Sequence, residues 1–304
     1  MSEIDASLII ITYNQLPYLK TLMQSVNMQK TDYEFEIIIV NDCSNDGTND
    51  YLKSLAINNN IIIINNNENI GRAKSRNVGA ANANGRILIF IDGDMELAES
   101  IIEIHINCHE NKERSIAVGS VDYGSLGSLE DYLQSRGPTK LDRKKDIPFR
   151  YFASGNFSIP STVFSELKGF DIDYSFYGGE DIDFGYRASS SGISIDYLSS
   201  AKAKHIHKLS LQEVLNKRYK FGLKALPLFA SKHNKAALDI PIYRMQNNRL
   251  LRAILYFIFN RVFYGIGLIT GDTSSYVPNI IYDYLIYGAV FKGLNASRKK
   301  SSEE

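Results

Sequence analysis

The sequence predicts an α/β fold in which a mostly parallel sheet is covered by helices on both faces, and three observations predict it. Apolar runs of strand length recur from Ser7 onward with helical patterns between them. The runs are continuous rather than alternating, as strands buried on both faces require. The connections are short, so each helix crosses directly from one strand to a parallel neighbour.

The elements follow in order. Ser7–Thr12 is a run of Leu and Ile that reads as the first strand. Asn14 stands just ahead of Pro17, a helix-start signal, and Leu16, Leu19, Leu22, Met23 and Val26 follow at helical spacing. Glu36–Val40, Ile61–Ile64 and Ile87–Ile91 read as further strands, with helical stretches near Thr48–Leu55 and Ala73–Ala83. Beyond Ile116 the pattern is shorter and mixed, with candidate strands at Ile116–Val121, Tyr151–Ile159, Ile193–Tyr197 and Ala201–Ile206. After Ser210 the chain reads as wholly helical and rich in aromatics. The expected organisation is therefore a domain over 1–209, with halves meeting near 115, and a helical extension over 210–304.

At 44% hydrophobic and 22% charged residues, the 304-residue chain can bury a sizeable core and is not of disordered composition. Cys43 and Cys108 have no metal-ligand or disulfide-framework spacing, which suits a reducing compartment. The first residues lack the basic-then-apolar run of a signal peptide. A cytoplasmic location is expected, with attachment to the inner face of the plasma membrane as its peripheral form. The net charge of zero hides an asymmetry. Residues 1–204 carry 19 Lys and Arg against 28 Asp and Glu, a net of −9, and residues 205–304 carry 15 against 6, a net of +9. An acidic front half suits a site that collects a cation, and a basic back half suits an anionic surface such as a bilayer. Solvated helix faces account for the same charges equally well. A nucleic-acid partner is not expected.

Ligands of open parallel sheets bind beyond the carboxyl ends of the strands. Four loops lie there: Thr12-Tyr13-Asn14, Asn41–Gly47 with Asp42, Asn69–Arg72 leading to Arg76 and Asn77, and Asp92-Gly93-Asp94. Asp92-Gly93-Asp94 is the sharpest signal. Two carboxylates directly after an apolar strand must leave the core, where they can share a hard cation that neutralises a leaving group. The plain alternative is a turn rich in Asp and Gly. Gly178-Gly179-Glu180-Asp181 is the second signal. Paired glycines permit close approach of a ligand, and a carboxylate at a helix start can act as a general base or simply cap the helix. Tyr174, Phe176 and Tyr177 offer an apolar wall for a sugar ring, with core packing as the alternative. His205-Ile206-His207 places two imidazoles on one face of a strand. Nitrogen joining carboxylates favours Mn2+ over Mg2+ without excluding the latter. His105, His109 and His233 read as structural.

Taken in order, these segments resemble the inverting nucleotide-sugar glycosyltransferases of family 2, over roughly Ser7 to His207. The resemblance rests on Ile-Ile-Ile-Thr-Tyr-Asn, Val-Asn-Asp-Cys-Ser-Asn-Asp-Gly-Thr, Asn-x-Gly-x-Ala-x-x-Arg-Asn-x-Gly and Asp-Gly-Asp in the nucleotide half. In the acceptor half it rests on Ala153–Ser158, Gly169-Phe170-Asp171 and Gly-Gly-Glu-Asp-Ile-Asp-Phe-Gly-Tyr-Arg. That half is similar to chondroitin-type polymerases and to galactosyl- and N-acetylgalactosaminyltransferases.

The resemblance implies a Rossmann-like A-type glycosyltransferase fold and a UDP-sugar donor. It also implies a glycan or lipid-linked acceptor, as in bacterial surface polysaccharide or capsule synthesis. Thr12, Tyr13 and Asn14 would lie against the nucleotide, Asp42 on the uracil edge, and Asn69, Arg72 and Arg76 near the base or diphosphate. Asp92 would contact ribose or metal, Gly93 would stand beside it, and Asp94 and His205 would ligate Mn2+ or Mg2+. Gly155 and Asn156 would border the donor sugar. Tyr177, Gly178, Gly179 and Glu180 would hold the acceptor, and Asp181 would be the base of a single inverting displacement. The chain departs from the pattern at Asn41, where a second Asp is usual, at Cys43, where Gly is usual, and in having no Trp before Gly178.

Three rival classes are weighed against this. A sugar nucleotidyltransferase would carry a Gly-rich, Arg-containing loop where Thr-Tyr-Asn-Gln-Leu-Pro stands. A dinucleotide oxidoreductase would need Gly-x-Gly-x-x-Gly after a strand, and the chain has none. A non-catalytic sugar- or partner-binding module would be free to lose Asp94, Asp181 or His205, and all three are present. In the back third, Leu250–Leu268 is apolar but interrupted by Arg252, Asn260 and Arg261, which argues against a membrane span. With Tyr276–Phe291 and the Lys and Arg that follow, it suits either helices lying in a membrane interface over 250–300 or ordinary packing.

Overall fold

The computed structural model describes residues 4–55, 60–124, 127–136, 147–259, 265 and 277–303. These fall into two compact units. The first comprises 1–124, 136–175 and 181–207, and the second 125–135, 176–180 and 208–304. The expected linear boundary at 209 therefore misses two excursions, since 125–135 and 176–180 belong with the C-terminal helices.

The first unit is built on one eight-stranded sheet. Its strands are β1 (Ala6–Thr12), β2 (Phe35–Asn41), β3 (Ile61–Asn65), β4 (Ile87–Asp92), β5 (Met95–Leu97), β6 (Ser115–Asp122), β7 (Asn156–Pro160) and β8 (Ser194–His205). They are ordered β3-β2-β1-β4-β7-β6-β8-β5. β3, β2, β1 and β4 run parallel, as the short crossovers predict. β7 is antiparallel to both β4 and β6, β6 and β8 are parallel, and β5 is antiparallel to β8. The parallel half is thus joined to a mixed half.

The helices of this unit are α1 (Leu16–Asn27), α2 (Thr48–Leu55), α3 (Arg72–Ala81), α4 (Ile101–His109), α6 (Ser161–Glu166) and α7 (Glu180–Ser190), while α5 (Ser128–Arg136) lies almost wholly in the second unit. Strand alternation sorts the core into two layers. Leu8, Ile10, Ile37, Ile39, Ile87 and Ile89 face Leu19, Leu22, Met23 and Val26 of α1 and Ile102 and Ile106 of α4. Ile9, Ile11, Ile38, Val40, Leu88 and Phe90 face the other way, into Phe157, Phe164, Phe170 and Phe184. In that second layer Phe90 stacks on Phe157 at 4.7 Å and Phe170 on Phe184 at 4.5 Å.

Two sequence expectations are corrected. Tyr151–Ile159 is not one strand: Phe149–Tyr151 forms a 3-10 turn, and pairing begins only at Asn156. Ile193–Tyr197 and Ala201–Ile206 are not separate strands. They are the two ends of β8, which runs on through a register shift opposite Gly119 and Ser120. Its exposed Ser199 and Ser200 interrupt the apolar pattern there.

In the second unit, α8 (Leu211–Lys220) opens with a capping box, in which Ser210 and Glu213 satisfy each other's backbone amides. A π-turn (Phe221–Ala225) leads into α9 (Leu226–Lys232). Then follow α10 (Asn234–Ala237), α11 (Pro241–Asn247), α12 (Arg249–Ile258) and the long α13 (Asn279–Glu303). Tyr132, Leu211, Leu215, Tyr282, Leu285 and Ala289 form its core. Of the two apolar segments read from the sequence, residues 260–264 and 266–276 lie outside the described residues. No described helix is long and apolar enough to cross a membrane.

Candidate functional site

The ends of β1, β2 and β4 gather most of the residues singled out by sequence. Asp42 follows β2 and is almost fully buried. Its Oδ1 accepts from the Ile70 backbone amide and from Asn66 Nδ2, each at 2.9 Å, and its Oδ2 accepts from the Gly71 amide at 3.0 Å. The carboxylate therefore holds the loop that starts α3, whose Asn69 and Arg72 are exposed. Asn14, at φ 51°, accepts from the Asn45 amide at 2.8 Å and donates its own amide to Ser44 Oγ at 2.9 Å, so it stitches the first two loops together. Tyr13 is 47% exposed beside it. Thr12 is buried, and its Oγ1 has no hydrogen-bond partner among the described residues.

Arg76, on the first turns of α3, is buried under the strand ends. It donates to Asp92 Oδ1 at 2.7 Å and lies over the Phe170 ring. Burial pushes the Asp92 carboxyl up, but the Arg76 and Arg72 charges and the Arg76 hydrogen bond together hold it below its ordinary range. Its other oxygen lies against Gly155, where an added Cβ would come within 2.9 Å of Asp92 Oδ2. Glycine at 155 is thus required by close approach. The Asp92 amide also donates to the Gly155 carbonyl at 3.0 Å.

Asp94 and His205 are far apart in sequence and are brought together by β5. That short strand continues from Asp94 and pairs with the end of β8, with Met95 opposite His205. The Ile206 amide donates to the Asp94 carbonyl at 3.0 Å, and His205 Nε2 stands 3.5 Å from Asp94 Oδ2. Gln15 Nε2 donates to the same Oδ2 at 2.9 Å, which fixes the carboxylate plane. A divalent cation fits this pair by the chemistry of its donors, a carboxylate and an imidazole, which suit Mn2+ in particular. Asp92, expected as a third ligand, is drawn instead to Arg76. Among the described residues no three of His, Cys, Asp and Glu are gathered to hold a metal by themselves. His207 stacks behind His205 and against Tyr18.

Asp181 sits on the first turn of α7. Its Oδ1 is buried without a hydrogen-bond partner among the described residues, and the Ser154 hydroxyl hydrogen-bonds the carboxylate. Burial pushes this carboxyl up, with Arg76 and Ser154 opposing and the neighbouring Asp92 charge adding to the rise. The two carboxylates share Arg72 and Arg76 yet shift in opposite directions, the usual mark of unlike roles. Glu180, Tyr177, Gly178 and Gly179 belong to the second unit. There Gly178 and Gly179 both have positive φ, 82° and 98°, a run that other residues strain to adopt. Tyr177 lies under Lys217 and Phe176 under Lys224.

One expectation fails outright. The Asn156 side chain does not border a donor sugar. It is 1% exposed, donates to the Ser120 and Ala201 carbonyls at 3.0 Å, and joins His105 Nε2 at 2.9 Å. Every polar atom of that amide is used inside the sheet. Conversely, Gln15 and Ser154 touch Asp94 and Asp181 without being singled out in the sequence. Their only signal is their place, in the first strand-end loop and next to Gly155.

A parallel sheet ending in this acid-rich cluster, extended by an antiparallel strand that returns a histidine to it, defines an A-type glycosyltransferase fold. The chain belongs to glycosyl transferase family 2, whose model matches residues 7–167. A second model, the N-terminal domain of galactosyltransferase, matches residues 140–209. Among curated relatives, an uncharacterised glycosyltransferase of Bacillus subtilis (strain 168) is 32% identical over 240 residues. That match takes in 62% of this chain and 61% of the relative, so the chain spans less than two thirds of the relative's length. Among solved structures, a mannosyltransferase from Pyrobaculum calidifontis in complex with GDP-Man and Mn2+ aligns with a TM-score of 0.65 at 17% identity, covering 94% of this chain and 86% of that one. GalNAc-T7 with UDP, GalNAc and Mn2+ aligns with a TM-score of 0.57 at 19% identity, covering 82% and 59%. At these identities the two structures speak to the fold.

Proposed function

We propose that this protein is an inverting, metal-assisted glycosyltransferase that moves a sugar from a UDP-sugar to a hydroxyl of a glycan or lipid-linked saccharide, in the synthesis of a bacterial surface polysaccharide. The observation that carries the reading is the strand-end cluster. A carboxylate–imidazole pair, an Arg76–Asp92 ion pair and a carboxylate raised above its ordinary range all lie in the first unit, where open α/β sheets bind ligands. Asp94 and His205 would hold Mn2+ (or Mg2+), which when bound neutralises charge on a diphosphate leaving group. The solved structures of the mannosyltransferase, with GDP-Man and Mn2+, and of GalNAc-T7, with UDP, GalNAc and Mn2+, support a nucleotide-sugar donor and a divalent cation.

The chain's own residues divide the remaining work. Thr12, Tyr13 and Asp42 form the nucleotide side, and Arg72 offers an exposed cation to the diphosphate. Gly155 lets the donor lie close to Asp92. Asp181 takes the proton of the acceptor hydroxyl. Its environment serves that task, because a base whose pKa is raised towards the working pH accepts a proton more readily.

A UDP-release assay over a panel of UDP-sugars, with Mn2+ or with EDTA, tests this. Mn2+-dependent release from one donor, abolished by EDTA, is the expected result. Absence of both release and Mn2+-dependent UDP binding would overturn the donor reading and leave a non-catalytic binding module.

A further inference from the structure

α12 is amphipathic in an unusual sense: its apolar stripe faces solvent. Leu250, Ile254, Phe257 and Ile258 recur at helical spacing on one side and are 71%, 45%, 70% and 40% exposed. Leu255 alone is buried. Arg249 borders the stripe, and half-buried Arg252 lies on the opposite side of the helix, with Tyr256, 69% exposed, between the two arginines. Beside α12 a mostly apolar groove of ≈ 280 Å³ opens between α11 and α13, lined by Ile242, Met245, Leu255, Phe259, Ile280 and Tyr287, with one acid, Asp283, whose Oδ1 accepts from the Tyr132 hydroxyl at 2.8 Å. Ile280, at its rim, is 74% exposed. Contiguous apolar surface of this kind marks an interaction site.

The charges around it select the occupant. Arg298 of α13 donates to the Gln246 carbonyl and to Asn247. Burial, and then the neighbouring Arg252 charge, hold its guanidinium below its ordinary range. Two cations thus lie close enough to repel, and among the described residues neither Arg249 nor Arg252 forms an ion pair with an acid. With the net of +9 over residues 205–304, the patch suits an anion that also offers hydrocarbon.

We infer that α12 and the groove beside it dock onto the surface of an anionic lipid bilayer, with Leu250, Ile254 and Phe257 entering the acyl boundary and Arg249 at headgroup level. The helix lies in the interface and does not span it; at ten residues it is too short to cross. This inference does not depend on the donor chemistry, because vesicle binding needs neither nucleotide nor metal.

Flotation of the full chain with vesicles tests it, comparing phosphatidylcholine alone with phosphatidylcholine containing about one third phosphatidylglycerol. Binding to the anionic vesicles that weakens at high salt is expected. The double variant Leu250→Ser, Phe257→Ser should lower the partition coefficient at least about tenfold. Arg249→Gln should lower it about fivefold, from roughly 1 kcal/mol per cation. Both changes fall on exposed positions, so circular dichroism and UDP binding should stay as in the wild type. No flotation overturns the inference, and so does flotation that the double variant leaves intact. Concentration-dependent self-association that the double variant abolishes, without vesicle binding, would assign the stripe to a second copy of the chain instead.

Discussion

Gly155 and Asn156 are neighbours in the chain, yet they open onto two buried polar regions of opposite character. On the Asn156 side, His105 Nδ1 and His109 Nε2 both meet Ser158 Oγ, at 2.8 and 2.9 Å, His109 Nδ1 stands 3.3 Å from Ser115 Oγ, and Asn156 closes the network on two carbonyls. Every group there is satisfied by protein, and the rings are held neutral, pushed down to about 4 by burial. On the Gly155 side, Arg76, Asp92, Asp94, His205 and Asp181 are packed nearly as tightly, but Asp181 Oδ1 and Thr12 Oγ1 have no partner among the described residues. The first network is spent on joining α4 to β6 and β7. The second retains hydrogen-bonding capacity, which a folded protein keeps at a cost of about 1–3 kcal/mol per buried group. Burial and polarity are common to both; the completeness of pairing separates frame from site.

The sharpest way to break this contrast is Asp94→Ala. If the strand-end cluster serves a metal and a donor, Mn2+-dependent UDP binding should vanish and transfer should fall by about 10³-fold or more. Thermal stability should change little, because His205 keeps its place through the β5–β8 pairing. Titration of Mn2+ against UDP-bound protein reads the outcome. Unchanged Mn2+ affinity would move Asp94 from site to frame.

Asp181→Asn should cost nearly as much in rate, about 10³-fold in kcat, while leaving UDP affinity within a few-fold. In the wild type the acid limb of the rate profile should lie above the ordinary Asp range, since burial raises this carboxyl. That limb should be absent from whatever activity the variant retains. Equal losses in UDP binding and kcat would mean that Asp181 holds the site together and does not act as its base.

Much of this was legible in the sequence, for physical reasons that also mark its limits. Ser7–Thr12 and Ile87–Ile91 are too apolar to lie anywhere but in a buried strand, and an acid pair straight after such a strand has to leave the core. Local pattern thus located Asp92 and Asp94. It could not say that Arg76 takes one and Gln15 and His205 the other, because those partners are set by sheet order and by the three-residue strand β5. Asn156 shows the same limit from the other side. The motif Ala-Ser-Gly-Asn contains one residue that lies against Asp92 and one that is turned into the sheet, and only the pleat of β7 tells them apart. The excursion of 176–180 into the second unit was invisible as well, since nothing in Phe-Tyr-Gly-Gly-Glu distinguishes a loop of one unit from a loop of its neighbour.

The frame network makes a prediction of its own. His105 and His109 are neutral when folded, whereas the unfolded chain binds protons at both below pH about 6.5. Their contribution to stability is therefore present above that pH and is lost as pH falls towards about 4. Between neutrality and pH of about 5 the loss should be about 2 kcal/mol per ring. Urea unfolding across that range measures it, and His105→Gln should flatten the slope. A slope that survives the substitution would mean that other groups carry it.

The smallest effect is the most discriminating. Thr12 Oγ1 is a buried hydroxyl at the end of β1 with no partner among the described residues, and valine has nearly its shape. In a frame, such an unpaired group is pure cost, so Thr12→Val should stabilise the fold by about 1 kcal/mol. If the hydroxyl is kept for the nucleotide, the same change should weaken UDP binding a few-fold, by roughly 0.5–1.5 kcal/mol for one neutral hydrogen bond. Stability rising while affinity falls is the signature of a group retained for a ligand. Stability rising with affinity unchanged would place Thr12 with Asn156, among the residues that only hold the sheet.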